Sequence, residues 1–523
     1  MSIVNCQFPF GPFRPFRPFR PSFRLGSLDF RQKTMRHIPP FLKILPLVIL
    51  GIVLGEWLVI DWWVAAIGAA VCTLSAYLLM SRKEGSLYAA CAIILWSLAT
   101  TELRTPYTAP EPDAPEILTA TITSYPTTSA TSRWQRCDAR VEFGGKERTI
   151  ILHADTSIRL TISERGVLCG YLNPLPEGSY GRLMSRRGYV GELWSTSEAD
   201  WVPTGEKRTS LTILGRRMQH SMVERIERLG LGRDEEAVVS AMLTGWRGDM
   251  TPSLRRSYAR SGSSHLLAIS GLHMGLVAML VLGCCWLLPI ISRRGHIIRC
   301  AVAILIMLLY AFATGLSPSV LRATLMFCIA QLALAYGSAK SAINLLAAVA
   351  SVMLLVNPNN LFDISFQLSF VAVVGIAIGF GPLMELSGAT QSRRPLRALW
   401  GVVLVGLTST IATLPLVGHT FSTVSLVGLF LNPFVIVTAE IIVLLGFIWV
   451  TLPLGFLQPI ASVLIGGAAA LQNRLVEGAS GLSWAALEVE LPAWLVVVCY
   501  LLMGAGVILS LVWKEKKVWK IGK

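Results

Sequence analysis

Apolar runs recur along the chain, the first three at about 44 to 60, 63 to 80 and 87 to 102. Each approaches the roughly twenty residues a helix needs to cross a bilayer. After residue 105 the pattern changes. ILTATITS, WQRCDARVEF, ERTIILHA, GVLCGYL and YVGELWS are short β-branched or aromatic runs, separated by Ser, Gly, Pro and Asn. That spacing predicts a small all-β barrel over 105–206. From 207 to 260, apolar stripes alternate with Arg and Glu faces, predicting amphipathic helices on the outer surface. Long apolar runs resume at about 265 to 291, 299 to 315, 318 to 336, 341 to 356, 361 to 381, 398 to 417, 429 to 453, 457 to 475 and 492 to 512. The expectation is a polytopic α-helical membrane protein with about 12 transmembrane helices and an inserted extracytoplasmic β-barrel.

Composition agrees: 53% of the 523 residues are hydrophobic, 15% are charged, and mean hydropathy is +0.59. The formal charge of +15 is weak evidence for a nucleic-acid partner, because cytoplasmic loops carry Lys and Arg for orientation alone. With Arg82 and Lys83 on the same side as the basic N-terminus, 105–206 falls outside the cytoplasm. Arg293 and Arg294, Arg393 and Arg394, and the tail 514–523 then fall inside, so an even span count puts both termini in the cytoplasm.

Residues 1–43 read as a separate basic tail. FPFGPFRPFRPFRPSFR has no hydrophobic periodicity, and its prolines block helix and ladder hydrogen bonds. It lacks the apolar core of a signal peptide, and translation from Met35 is an alternative start. In the outer segment Cys137 and Cys169 are the only cysteines. An oxidising compartment makes them a candidate disulfide, with two buried thiols as the alternative.

Candidate chemistry sits in the second half, 261–513. In SHLLAISGLHMGLV a continuous helix makes Ser270 and His273 neighbours and sets His265 roughly 80° from His273. Gly271 and Gly275 have the small-xxx-small spacing of close helix packing. The stretch reads as a polar constriction or as hydrogen-bonded packing; a Ser/His hydrolase lacks a GxSxG elbow and an adjacent acid. In ATGLSPSVLRATLM, Ser317 before Pro318 predicts a helix start. Arg322 one turn in, with the free N–H groups there, could hold a phosphate; the alternative is capping, with Arg322 snorkelling or paired to Asp363. In NPNNLFDISFQLSFVAVVGI, Asp363 and Gln367 share one helix face and Ser365 and Ser369 another, lining a wet path or joining helices. Asn432 and Pro433 predict a broken helix, and Glu440 lies deep in apolar sequence. There is no GxxxxGK[ST] loop, and the seven histidines form no HxH or HExxH arrangement, so neither nucleotide hydrolysis nor a metal or other cofactor is indicated.

SGSSHLLAISGLHMGLV, GLSPSVLRATLM and NPNNLFDISFQLSFVAVVGI, in that order, resemble the competence domain of the ComEC family of bacterial inner-membrane DNA channels. PEGSYGRLMSRRGYVGELW resembles the end of that family's extracytoplasmic OB-like domain, and TLPLVGHTFSTVSLVGLFLNP its later transmembrane region. The resemblance covers the chain from about residue 40. It implies a channel, not an enzyme, that conducts one DNA strand into the cytoplasm during natural transformation. Within the matching motifs it points to His265, Ser270 and His273, to Ser317, Pro318 and Arg322, and to Asp363, Ser365 and Gln367. Single-stranded DNA and the lipid bilayer are the implied partners, with an outer-face DNA receptor and a separate cytoplasmic motor or single-strand-binding protein. The pore is one chain or a homodimer. Many family members carry a C-terminal metallo-β-lactamase-like domain suspected of degrading the second strand, and its histidine-rich signature is not found here; any nuclease action is expected to come from another protein or to be absent. A small-solute or lipid-linked transporter on the same scaffold is the other reading, though no inverted repeat is evident.

Overall fold

The computed structural model describes residues 39–58, 60–79, 83–104, 107–112, 114–128, 132–286, 293–335, 342–388, 393–452 and 455–506. The Pro-Phe-Arg tail with Met35, residue Arg82 and the basic tail 514–523 lie outside the described residues.

The chain opens with α1 (Pro40–Trp57), α2 (Trp62–Leu78) and α3 (Lys83–Leu103). Here the small-xxx-small device operates. A side chain at Gly51 would strike the Ile94 carbonyl and Ser97, and one at Gly55 would sit 3.0 Å from Thr101 Cβ. These two glycines therefore let α1 lie against α3.

An eight-stranded sheet follows: β1 (Glu116–Ile122), β2 (Thr127–Thr128), β3 (Trp134–Phe143), β4 (Lys146–Asp155), β5 (Glu164–Gly170), β6 (Leu172–Asn173), β7 (Tyr189–Ser195) and β8 (Trp201–Lys207). Alternation sets its two faces. On β3, Gln135, Cys137, Ala139 and Val141 are buried while Trp134, Arg136, Asp138 and Arg140 point outward. The strands run in the order β6-β7-β4-β3-β1-β5-β8, with β2 on β3 and the β4–β7 pair parallel. The expected barrel is thus a mixed sheet with no closed barrel. Only Leu172↔Leu193 and Asn173↔Glu192 join the two-residue β6 to β7, too short a ladder to close it. Helix α4 (Ser179–Arg186), hidden in PEGSYGRLMSRRG, interrupts the strands.

The expected disulfide is absent: Cys137 and Cys169 are free thiols. Cys169 pairs across from Ile117 at the start of β1, whereas Cys137 lies beyond the Ile122↔Ala139 pair at its far end. They are separated by at least ~17 Å along the strand, against about 6 Å between the Cα atoms of a disulfide.

Helices α5 (Leu211–Glu227), α6 (Arg233–Thr244) and α7 (Pro252–Arg260) follow. Two of them behave as amphipathic helices. In α6, by contrast, every residue from Ala237 to Thr244 is buried. Beyond its acidic first turn its sequence is apolar nearly all round, which suits a core position, not a surface one. It packs on the later helices, with Leu243 lodged against Gly446.

The remaining helices are α8 (Gly271–Trp286), α9 (Arg293–Ala313), α10 (Pro318–Ala335), α11 (Ala342–Val356), α12 (Ile364–Leu386), α13 (Arg394–Phe421), α14 (Gly428–Thr451), α15 (Gln458–Ser480) and α16 (Ala493–Gly506). A β9 (Thr423–Ser425) to β10 (Ala486–Glu488) pair joins two of their ends. Among the described residues six helices are long and apolar enough to cross a membrane, and six more are apolar but shorter. The principal core gathers Val238, Met242, Val277, Met307, Val435 and Ile442 from α6, α8, α9 and α14.

Candidate functional site

The run beginning at residue 265 is not one helix. A 3-10 turn at Ser264–Leu267 carries His265, Ala268 is extended, and α8 starts only at Gly271. The Ser270 and His273 pair explains the restart. The His273 N–H donates to Ser270 Oγ at 3.1 Å, and the Ser270 N–H donates to His273 Nδ1 at 3.4 Å. This is the reciprocal geometry of a capping box, with imidazole in place of the usual carboxylate. Because Nδ1 accepts, Nε2 carries the proton. His273 is 1% exposed, and Nε2 has no hydrogen-bond partner among the described residues. His265 belongs to a different element, is exposed, and has Nδ1 3.2 Å from the Gly262 carbonyl.

The expected close packing at Gly271 and Gly275 does not occur among the described residues, since a Cβ on either would meet none of their atoms within 4 Å. Both lie on an exposed face of α8 with Leu272 and Met279. Nor do Ser270 and His273 form a nucleophile and base, because each contacts the other's backbone N–H.

Helix α10 begins at Pro318 after a turn in which Gly315 (φ 74°) and Leu316 (φ 54°) take left-handed conformations. For Leu316 that backbone is strained. The turn delivers Ser319, whose Oγ donates to the Ile269 carbonyl at 2.6 Å, satisfying a group left over by the break before α8. Ser317 serves through its carbonyl, which accepts from the Leu321 N–H at 3.0 Å. Arg322, 4% exposed, donates from Nη2 to Ser365 Oγ at 2.7 Å, while its Nε has no partner among the described residues. Of the alternatives to a phosphate site, it neither snorkels nor bonds Asp363.

Asp363 is occupied elsewhere. It is the N-cap of α12, with Oδ1 accepting from the Ser365 N–H at 2.8 Å, and Oδ2 pairs with Arg187 at 3.0 Å. Asp363 and Gln367 therefore do not share a helix face: one caps the helix, and the other donates to the Leu361 carbonyl at 2.8 Å. Arg187 directly follows α4, and the neighbouring Arg186 pairs with Glu56 at the end of α1 and lies 3.8 Å from the Phe362 ring. The sheet region is thereby pinned to the helical region by adjacent arginines.

All three motifs meet at one end of a ring of helices. Helix α8 packs on α10 and α14, α10 on α12, α12 on α13, and α13 on α14. Ser263 Oγ, 3.3 Å from Asn432 Oδ1, ties the His265 turn to the start of α14 at the same end. In α14, Pro433 lies inside a continuous helix where a break was expected. Glu440 lies about 200° around α14 from Thr438, which bonds Gln472 of α15, so it sits on the side away from α15. Among the described residues no group of three or more His, Cys, Asp or Glu could hold a metal ion. Sequence reasoning missed Arg187 and Ser319; both stand in segments quoted for the resemblance, but neither has a local pattern that marks it.

Comparison with known proteins follows the same segments. The family model for competence proteins matches residues 242–515. ComE operon protein 3 of Bacillus subtilis (strain 168) is 33% identical over 205 residues, which is 38% of this chain and 24% of that protein. The chain thus matches about a quarter of the length of that curated relative. No solved structure matches it. The family match takes in every helix of the ring and all three polar motifs at its end, and on that ground the chain belongs to the competence protein family.

Proposed function

We propose that the chain is a channel conducting single-stranded DNA across the inner membrane into the cytoplasm during natural transformation. The observation that carries this reading is the convergence of the three polar motifs on one end of a closed ring of five helices, with Arg322 buried there and held by Ser365. Arginine is costly inside a membrane and is rare there outside functional sites such as substrate and ion pathways. Its Nε and the His273 Nε2, without partners among the described residues, are donors suited to phosphate oxygens. In this reading all twelve apolar helices span the bilayer, the shorter ones ending at breaks that line the path. Both termini are cytoplasmic and the sheet stands outside. The driving force comes from other proteins: a receptor delivers DNA at the outer face, and a motor or single-strand-binding protein captures it within.

The test follows labelled DNA in cells lacking the gene and complemented with wild type, His273→Ala or Arg322→Ala, at matched membrane levels. DNA that reaches the outer compartment but not the cytoplasm in the null and in both stable variants is the expected result. Cytoplasmic uptake unchanged in the null refutes the channel and favours a solute carrier.

A further inference from the structure

Positive charge is not where a DNA-binding sheet would place it. Residues 107–206 hold ten Lys and Arg against thirteen Asp and Glu, whereas 207–260 hold eleven against six. The excess culminates in α7 and the loop before it. Arg247 donates from Nε to the Leu267 carbonyl at 2.9 Å, which fixes it against the His265 turn. Arg255 donates from Nη2 to the Arg247 carbonyl at 2.6 Å, and Arg256 from Nε to the Pro252 carbonyl at 3.4 Å. Arg260 Nη2 lies 3.5 Å from the Leu482 carbonyl. All four side chains are exposed, and no carboxylate pairs with any of them among the described residues. Arg255 is thus held beside Arg247 by a backbone carbonyl, with Arg256 and Arg260 following on the same helix, and among the described residues most of the N–H groups of these four have no protein partner, which is an arrangement suited to an anion.

We infer that Arg247, Arg255, Arg256 and Arg260 form a phosphodiester-binding rim beside the ring's polar end, engaging the sugar-phosphate backbone of an incoming single strand. The inference deepens the channel reading and rests on it. A lipid headgroup offers the same phosphodiester chemistry. The strand is favoured because α7 buries its large apolar residues, Leu254 and Tyr258, in the core and exposes none to enter lipid. A helix lying in the interface needs an exposed apolar face.

The full chain, in nanodiscs of phosphatidylcholine, is titrated with a fluorescent 20-mer of deoxythymidylate across a range of salt concentrations. Arg255→Gln/Arg256→Gln removes two exposed charges without touching the core. Losing two phosphate contacts lowers the slope of log affinity against log salt by about 1.4, at roughly 0.7 per contact for single strands. If the two curves converge near 1 M, affinity at about 0.15 M falls on the order of tenfold. Arg255→Lys/Arg256→Lys keeps the slope. Superimposable wild-type and Gln curves overturn the rim. A loss seen with short-chain phosphatidylglycerol but not with the oligonucleotide assigns the arginines to lipid and overturns the strand. The channel reading fails separately, through uptake: rim-dependent binding with no uptake defect in the null leaves the rim standing without the channel.

Discussion

Asp363 performs two tasks with one carboxylate, and two substitutions separate them. Oδ1 caps α12 through the Ser365 N–H, and Oδ2 holds Arg187. Asn retains a capping oxygen but loses the charge, whereas Ala loses both. An N-cap is worth about 1 kcal/mol, so Asp363→Ala should speed local exchange of the first amides of α12 roughly fivefold, while Asp363→Asn stays within a factor of two. The ion pair is intermediate in exposure, with side chains 38% and 11% accessible for Arg187 and Asp363. Its contribution therefore lies near the upper end for surface pairs, about 1 kcal/mol. Asn, Ala and Arg187→Gln should each raise exchange across 183–190 by a similar fivefold factor. Hydrogen exchange by mass spectrometry on the nanodisc-held chain reads both segments at once. Equal exchange of Asn and Ala at 365–367 refutes the cap, and unchanged exchange at 183–190 in Arg187→Gln refutes the pin.

Further outcomes follow from single contacts. Gly446→Leu drives a side chain into Leu243 and should cost 1–3 kcal/mol or more of stability, read as a fall in thermal midpoint; a neutral result refutes the close approach of α14 to α6. Gly271→Ala and Gly275→Ala face open space and should leave expression, thermal midpoint and uptake unchanged. Alkylation under non-reducing conditions should recover Cys137 and Cys169 as separate free thiols, with Cys137 the slower because burial pushes its pKa up to about 12. Burial first, then the Arg136 charge, lowers the pKa of His153 from 6.5 to about 4, against the Glu192 carboxylate 3.6 Å from its Nε2. A folded pKa below the unfolded one means the folded sheet binds fewer protons, so stability is full above about 6.5 and declines as pH falls toward about 4. His153 stacks on Trp194 at 4.1 Å, so near-ultraviolet circular dichroism should follow that loss. His153→Gln should remove this acid-dependent component, and a titration unchanged by the substitution rules His153 out.

The sequence made the apolar helices legible because burial in lipid demands long runs that few other constraints imitate. Strand alternation was equally plain on β3, where Cys137 faces inward and Arg136 outward. What stayed hidden depends on contacts between distant segments. Arg187 meets Asp363 across 176 positions, and Ser319 meets Ile269 across 50. The His273 motif misled for a local reason. Residues 265 to 277 look helical by composition, yet the Ser270 cap serves a helix that begins six residues after His265. Gly271 and Gly275 carry the spacing of a tight contact without its partner, while Gly51 and Gly55 carry it with one. Spacing states what a helix permits, and only the neighbour decides whether the permission is used.

The ring has a history during synthesis. Its last seam joins α14 to α8, and Gly428 leaves the ribosome nearly 160 residues after Gly271. At 5–20 residues per second that interval lasts on the order of 8–30 s. Throughout it, the capped His273 belongs to a helix whose final neighbour does not yet exist. Helices α8, α9 and α10 pack on one another directly, so this first part of the ring can assemble before α12, α13 and α14 arrive. A chain arrested before residue 428 should therefore expose this seam to crosslinkers that the finished protein excludes.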